Sequence, residues 1–129
     1  MSLKAIQMPR DKDMQDKIES LQQRIIDFRN KRDWKQFHNP KDVALSLVLE
    51  ATEVLEHFQW KNDKEAREHV IRHKEDIGEE LADVLYWVLL MSHDIGLDIA
   101  EALNKKLLKN EQKYPVDKAR GSHLKYDKL

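Results

Sequence analysis

Glu50 and Glu53 lie in the stretch LEATEVLEHFQW, residues 49–60, among Val54, Leu55 and Phe58, while Asp83 is the one charge in LADVLYWVLLM, residues 81–91. At 3.6 residues per turn, Ser46, Glu50, Glu53 and His57 share one stripe of a helix. Val43, Leu47, Ala51, Val54 and Phe58 flank that stripe on one side, and Ala44, Val48 and Leu55 on the other. Glu80 falls one turn before Asp83, with Asp76 one turn further back and Glu79 alongside. The chain thus carries two short acidic motifs, Glu50-x-x-Glu53 and Glu80-x-x-Asp83, each projecting two carboxylates from adjacent turns.

Carboxylates bracketed by apolar residues point partly inward, and burying one without a partner costs several kcal/mol even after relaxation. Lysine or arginine partners, protonation or a metal ion would offset that cost. Oxygen-only ligands in a chain without cysteine favour a hard cation, Mg²⁺ or Mn²⁺. The plainer reading, a solvated ion-pair face, suits Glu56, Glu65, Glu68, Glu75 and Glu101, which lack the apolar brackets. A di-iron helical bundle would need Glu-x-x-His on two helices, and no histidine here follows a glutamate by three residues.

These residues need helices to position them. Asp11 or Asp13 opens a first helix, whose stripe of Met14, Ile18, Leu21, Ile25 and Phe28 recurs at four-three spacing and ends near Trp34. Asn39 is suited to cap a second helix, with Pro40 at its first position and Asp42 in its first turn, running to about Phe58. The charged stretch from about Asn62 to Lys74 reads as a short helix or an extension. A third helix runs from near Glu75 to Asp94 with Gly96 as its stop. Asp98 and Glu101 resemble a capping pair opening a fourth helix, which Pro115 ends. The expected fold is all-α, a four-helix bundle.

The remaining features limit the function classes. The 129-residue chain holds one domain's worth of sequence, with 36% charged residues yet a formal net charge of only -1. No bulk charge draws it to a nucleic acid polymer or an anionic membrane. The absence of cysteine excludes disulfides and thiolate chemistry, and no uncharged run approaches membrane-spanning length. A cytoplasmic protein is expected. Its organisation is read as a flexible arm over residues 1–12, a helical catalytic domain over 13–113 and an extended tail over 114–129.

Taken in order, Glu50-x-x-Glu53, Glu80-x-x-Asp83 within EELADVLYWVLLM, the stretch FHNPKDVALSLVLEATEVLEHFQW and the C-terminal KLLKNEQKYPVDKARGS resemble the MazG-like all-α nucleoside triphosphate pyrophosphohydrolases, most nearly the dCTP pyrophosphatase branch. The resemblance covers most of the chain. It implies hydrolysis of a (deoxy)nucleoside triphosphate, dCTP or a modified dCTP, to monophosphate and pyrophosphate, as nucleotide-pool housecleaning. It further implies that Glu50, Glu53, Glu80 and Asp83 form the catalytic set and hold Mg²⁺ (or Mn²⁺), with Glu53 a guess for the group activating water. Lys106 and Asn110, one turn apart, would reach the nucleotide; Lys61, Lys113 and Arg120 are weaker candidates. His38, Trp60 and Trp87 would line the base pocket, Trp87 standing where the branch commonly has tyrosine. Trp34 and Phe37 fit either the pocket or helix packing. His57 reads as a solvated helix-end residue, and His69, His73, His93 and His123 carry no assigned role.

An apolar third helix in so small a chain implies a subunit interface. By resemblance the assembly is a homotetramer, a dimer of dimers, with a dimer as the alternative. Two other functions compete: a broad-range or dUTP-directed relative, and a non-catalytic helical interaction module.

Overall fold

The computed structural model describes residues 11–129; most of the expected N-terminal arm lies outside the described residues. The architecture is all-α, and among the described residues there is no strand. The chain divides after Gly96 into two compact units. The first contains α1 (Asp11–Asn30), a single 3-10 turn (Lys35–Phe37), α2 (Pro40–Glu56), α3 (Asp63–Arg72) and α4 (Lys74–Asp94). The second contains α5 (Ile99–Lys113), the four-residue α6 (Val116–Ala119) and a 3-10 turn (Tyr126–Lys128).

Local chemistry sets most of these ends. The Asn39 side chain accepts the Asp42 backbone N–H at 2.9 Å, and Pro40 takes the first position, where no donor is needed. Asn62 and Glu65 form a reciprocal capping box, which makes α3 a helix of its own where the sequence left a helix or an extension open. Asp98 accepts the Glu101 N–H at 3.0 Å and starts α5. Gly96 follows α4 in the left-handed region at φ 71°, a conformation that glycine reaches without a Cβ penalty.

Two expectations shift. The first helix ends at Asn30, four residues before Trp34, because Asp33 adopts φ 53° and turns the chain back so that Trp34 N–H donates to Arg29 O at 3.2 Å. Asp is among the few non-glycine residues that tolerate this conformation. The segment after Pro115, which carries no helical period, nonetheless forms α6 and the last 3-10 turn.

In the first unit α4 is the hub, packing against α1, α2 and α3. Its apolar run supplies Leu89 and Leu90, which are buried with Ile26 of α1 and Val43 of α2. Polar ties lock α1 onto α4. Gln22 Nε2 donates to Leu89 O at 2.8 Å and to Ser92 Oγ at 3.0 Å. Arg29, 1% exposed, meets Asp94 through Nη1 and Oδ2 at 2.7 Å. By contrast Leu45, Val48, Leu49 and Leu55 of α2 and Leu81 and Leu85 of α4 are each roughly half exposed.

The Arg29–Asp94 pair has a measurable weight. Asp94→Ala would strand a buried guanidinium. The expected loss is about 3 kcal/mol of unfolding free energy in urea, the low end for breaking a buried pair because Asp94 keeps some solvent. A loss within about 0.5 kcal/mol, the range of an ordinary surface substitution, would show that Arg29 finds another partner.

Candidate active site: four carboxylates beside an aromatic cleft

The inward stripe of α2 and the apolar run of α4 bring Glu50, Glu53, Glu80 and Asp83 together. One oxygen from each lies within 4.8 Å of one from every other. Glu50 and Glu80 are half-buried, Glu53 and Asp83 exposed. The electrostatics are those of crowded like charges. Glu80 is pushed up to about 7, first by its hydrogen bond with Glu53, then by burial and the charges of Glu53, Asp83 and Glu50. Glu50 is also raised, chiefly by burial and then by Glu53 and Asp83, while the Trp87 indole, within hydrogen-bonding reach, works against that rise.

Of the three ways to offset this repulsion, an ion pair is not used by these four groups among the described residues. Among the described residues the ion pairs are Arg29–Asp94, Arg67–Asp63, His73–Asp76 and Lys105–Glu101, and none touches the four carboxylates. Protonation of Glu80 relieves part of the charge. Glu80 Oε2 is nevertheless buried without a hydrogen-bond partner, a costly state for a carboxyl oxygen. Oxygen-only donors around such an orphaned atom suit Mg²⁺ or Mn²⁺. Adjacent oxygens on an octahedral Mg²⁺ stand about 3.0 Å apart and opposite ones about 4.2 Å, so the four carboxylates would draw together around the ion.

Glu50 and Asp83 also line a cleft of about 640 Å³ whose other walls include Phe28, Trp34, Tyr86 and Trp87. The rings meet edge to face: Phe28–Trp34 at 5.8 Å, Phe28–Tyr86 at 6.3 Å and Tyr86–Trp87 at 5.1 Å between centroids. The Arg32 guanidinium covers the Phe28 ring at 3.7 Å. A flat aromatic ligand with an anionic, cation-bearing tail matches these two adjacent regions.

The other sequence-selected residues are placed as follows. Trp87 lines the cleft. His38 stands edge-on to Trp87 at 5.4 Å and lines a neighbouring cavity of about 320 Å³ with Asn39, Met91 and Asp94. Burial, then Arg29, lowers the His38 pKa against the pull of Asp94, and its buried Nδ1 has no hydrogen-bond partner. Trp60 is 87% exposed beyond α2 and is not among the cleft residues. Lys106 and Asn110 stand one turn apart on α5 in the second unit. Lys113 Nζ lies 4.8 Å from the Tyr126 ring centroid. Phe28 and Tyr86 were not singled out from the sequence as pocket residues; their signal is only that both sit on apolar stripes, which a core would equally explain. His57, expected in solvent, is half-buried and bonded to His69.

The class follows from comparison with known proteins. A profile of the MazG-like family matches residues 45–129, and the chain belongs to that family. It is 38% identical over 114 residues to rat dCTP pyrophosphatase 1, spanning 87% of this chain and 67% of that protein. Human dCTP pyrophosphatase 1 is 35% identical over 114 residues, with 87% and 67% covered. A crystal structure of a pyrophosphatase from Archaeoglobus fulgidus shares the fold with a TM-score of 0.73 at 38% identity, covering 76% of this chain and 92% of that chain.

The raised Glu80 pKa gives a signed pH dependence. Without metal, the folded chain keeps a proton on Glu80 that the unfolded chain releases at ordinary carboxylate pH. That stabilisation is complete below the ordinary range and is lost as pH rises through about 7. The Tm of chelator-treated protein should therefore fall between about pH 5 and about pH 7.5, and fall less in Glu80→Gln. Added Mg²⁺ or Mn²⁺ should restore the wild type but not the variant. Parallel Tm profiles for the two chains would contradict the assignment.

Proposed function

We propose that this chain hydrolyses dCTP or a modified dCTP to the monophosphate and pyrophosphate, with Glu50, Glu53, Glu80 and Asp83 holding Mg²⁺ or Mn²⁺. The observation that carries the reading is the four-carboxylate cluster, with its orphaned Glu80 oxygen, opening onto an aromatic cleft. The family and the dCTP pyrophosphatase relatives support a nucleoside triphosphate pyrophosphohydrolase.

The chemistry is a water attack on the α-phosphorus that breaks its bond to the α–β bridging oxygen. A bound divalent cation supplies charge neutralisation, polarisation of the phosphoryl group and a more acidic water. Glu53, exposed at the edge of the cluster, accepts the proton of the attacking water. Trp87 hydrogen-bonds the Glu50 carboxylate, opposing its upward shift, and with Phe28, Trp34 and Tyr86 packs against the base; ring stacking of this kind is worth about 1–3 kcal/mol. His38, edge-on to Trp87, lines the base pocket by the family resemblance. Trp60, Lys106 and Asn110 are nucleotide-binding candidates on the family resemblance alone.

The assembly is a homotetramer built as a dimer of dimers, with a dimer as the alternative. The half-exposed apolar faces of α2 and α4 support it, since few apolar side chains among the described residues are buried. No described helix is long and apolar enough to cross a membrane, and the protein acts in the cytoplasm on the free nucleotide pool.

The test of the reaction is hydrolysis of a dNTP panel, including dUTP and methylated dCTP, with and without Mg²⁺. The expected result is dCMP and pyrophosphate as products, activity lost without metal, and a drop of about 10²–10³-fold in Asp83→Asn. No turnover by a folded, metal-loaded chain would favour the helical interaction module, and a dUTP preference would redirect the substrate. Light scattering should give a mass four times the 15.4 kDa chain, reduced in Leu49→Glu. A wild-type mass equal to one chain would overturn the assembly.

A further inference from the structure

Trp87 belongs to both halves of the candidate site. It stands one helical turn after Asp83 on α4 and lines the aromatic cleft together with Glu50 and Asp83. Its indole also reaches across to α2 and hydrogen-bonds the Glu50 carboxylate. Within the cluster Glu50 otherwise faces Glu53 and Asp83, which carry the same charge as itself.

The indole ring is gripped from two directions. Tyr86, its neighbour on α4, meets it edge to face at 5.1 Å and 82°. His38, from the segment before α2, meets it at 5.4 Å and 77°. Tyr86 is in turn braced by Phe28 of α1 at 6.3 Å. Contacts from separate parts of the chain therefore fix where the N–H points.

An indole N–H donates and cannot accept. It meets Glu50 through an oxygen lone pair and favours the charged carboxylate over the protonated acid. A proton and a metal ion compete for that carboxylate. The charges of Glu53 and Asp83 favour the proton, whereas the indole favours the ligating form and holds it beside Glu53, Glu80 and Asp83.

We infer that Trp87 is a positioning residue for the cation, its indole N–H fixing the Glu50 carboxylate as a ligand while its ring forms a wall of the base cleft. The inference rests on the reading that the four carboxylates hold Mg²⁺ or Mn²⁺, and it gives Trp87 a task that phenylalanine cannot perform. Hydrogen-bond donors behind metal-ligating carboxylates contribute about 10–100-fold in metal affinity. A residue that only packs against the base contributes nothing to cation binding when no nucleotide is present.

The test is Mn²⁺ titration of the full chain without nucleotide, with free Mn²⁺ read by electron paramagnetic resonance. Trp87→Phe keeps an aromatic ring and removes the donor. Its Mn²⁺ dissociation constant should rise at least about tenfold, and the Mn²⁺ needed for half-maximal dCTP hydrolysis should rise with it. Trp34→Phe, which changes another ring of the same cleft, should leave the Mn²⁺ constant unmoved. In the wild-type chain, Mg²⁺ should shift the ¹⁵N–¹H indole signal of Trp87 and not that of Trp60, a readout that needs no variant to fold. Equal Mn²⁺ constants for the wild type and Trp87→Phe, or a Trp87 indole signal indifferent to Mg²⁺, would overturn the inference and leave Trp87 as a base wall alone. Glu80→Gln separates this failure from that of the underlying reading. Mn²⁺ binding that survives in Glu80→Gln, or that is absent from the wild type, would overturn the four-carboxylate site and the inference with it.

Discussion

Repulsion among the four carboxylates of α2 and α4 is the constraint to which the rest of the first unit answers. Two helices that face each other through Glu50, Glu53, Glu80 and Asp83 gain nothing from that contact by themselves. They are kept together by apolar packing around Leu89, Leu90 and Val43, and by α1, which is fastened to α4 through Gln22 and the Arg29–Asp94 pair. The scaffold therefore stabilises an arrangement that is locally unfavourable. Such preorganised strain is useful at a site whose charge is to be balanced by a ligand, because the groups need not be gathered when the ligand arrives.

The same constraint accounts for the polarity of the cleft. One end is built from aromatic edges and faces, and the other from carboxylates with no basic side chain paired to them among the described residues. A nucleoside triphosphate without metal would be repelled by the acidic end, whereas its cation complex would be attracted.

Much of this was legible in the sequence, for reasons tied to particular residues. Asn39-Pro40, Asp98 with Glu101, and Gly96 are local signals whose chemistry acts within a turn, and they set helix ends where expected. The acidic motifs were visible because apolar residues bracket them on a 3.6-residue period. Less visible was whatever depends on distant partners. Phe28 and Tyr86 look alike whether an apolar stripe meets a core or an open cleft. Asp33 ends α1 through a left-handed residue that carries no glycine to announce it. His57 read as a solvated helix end because the placement of α3, which brings His69 to it, depends on packing more than on any local motif.

On the proposed reading, a divalent cation joins these four carboxylates when a nucleotide occupies the cleft. Anomalous diffraction from crystals grown with Mn²⁺ and a dCTP analogue whose α–β bridging oxygen is replaced by a non-hydrolysable group tests it directly. The expected result is an anomalous peak bonded to oxygens of Glu50, Glu53, Glu80 and Asp83 and to the phosphates, with the base against Trp34 and Trp87. A nucleotide bound with its phosphates away from these carboxylates, or a cation held by other residues, would contradict it.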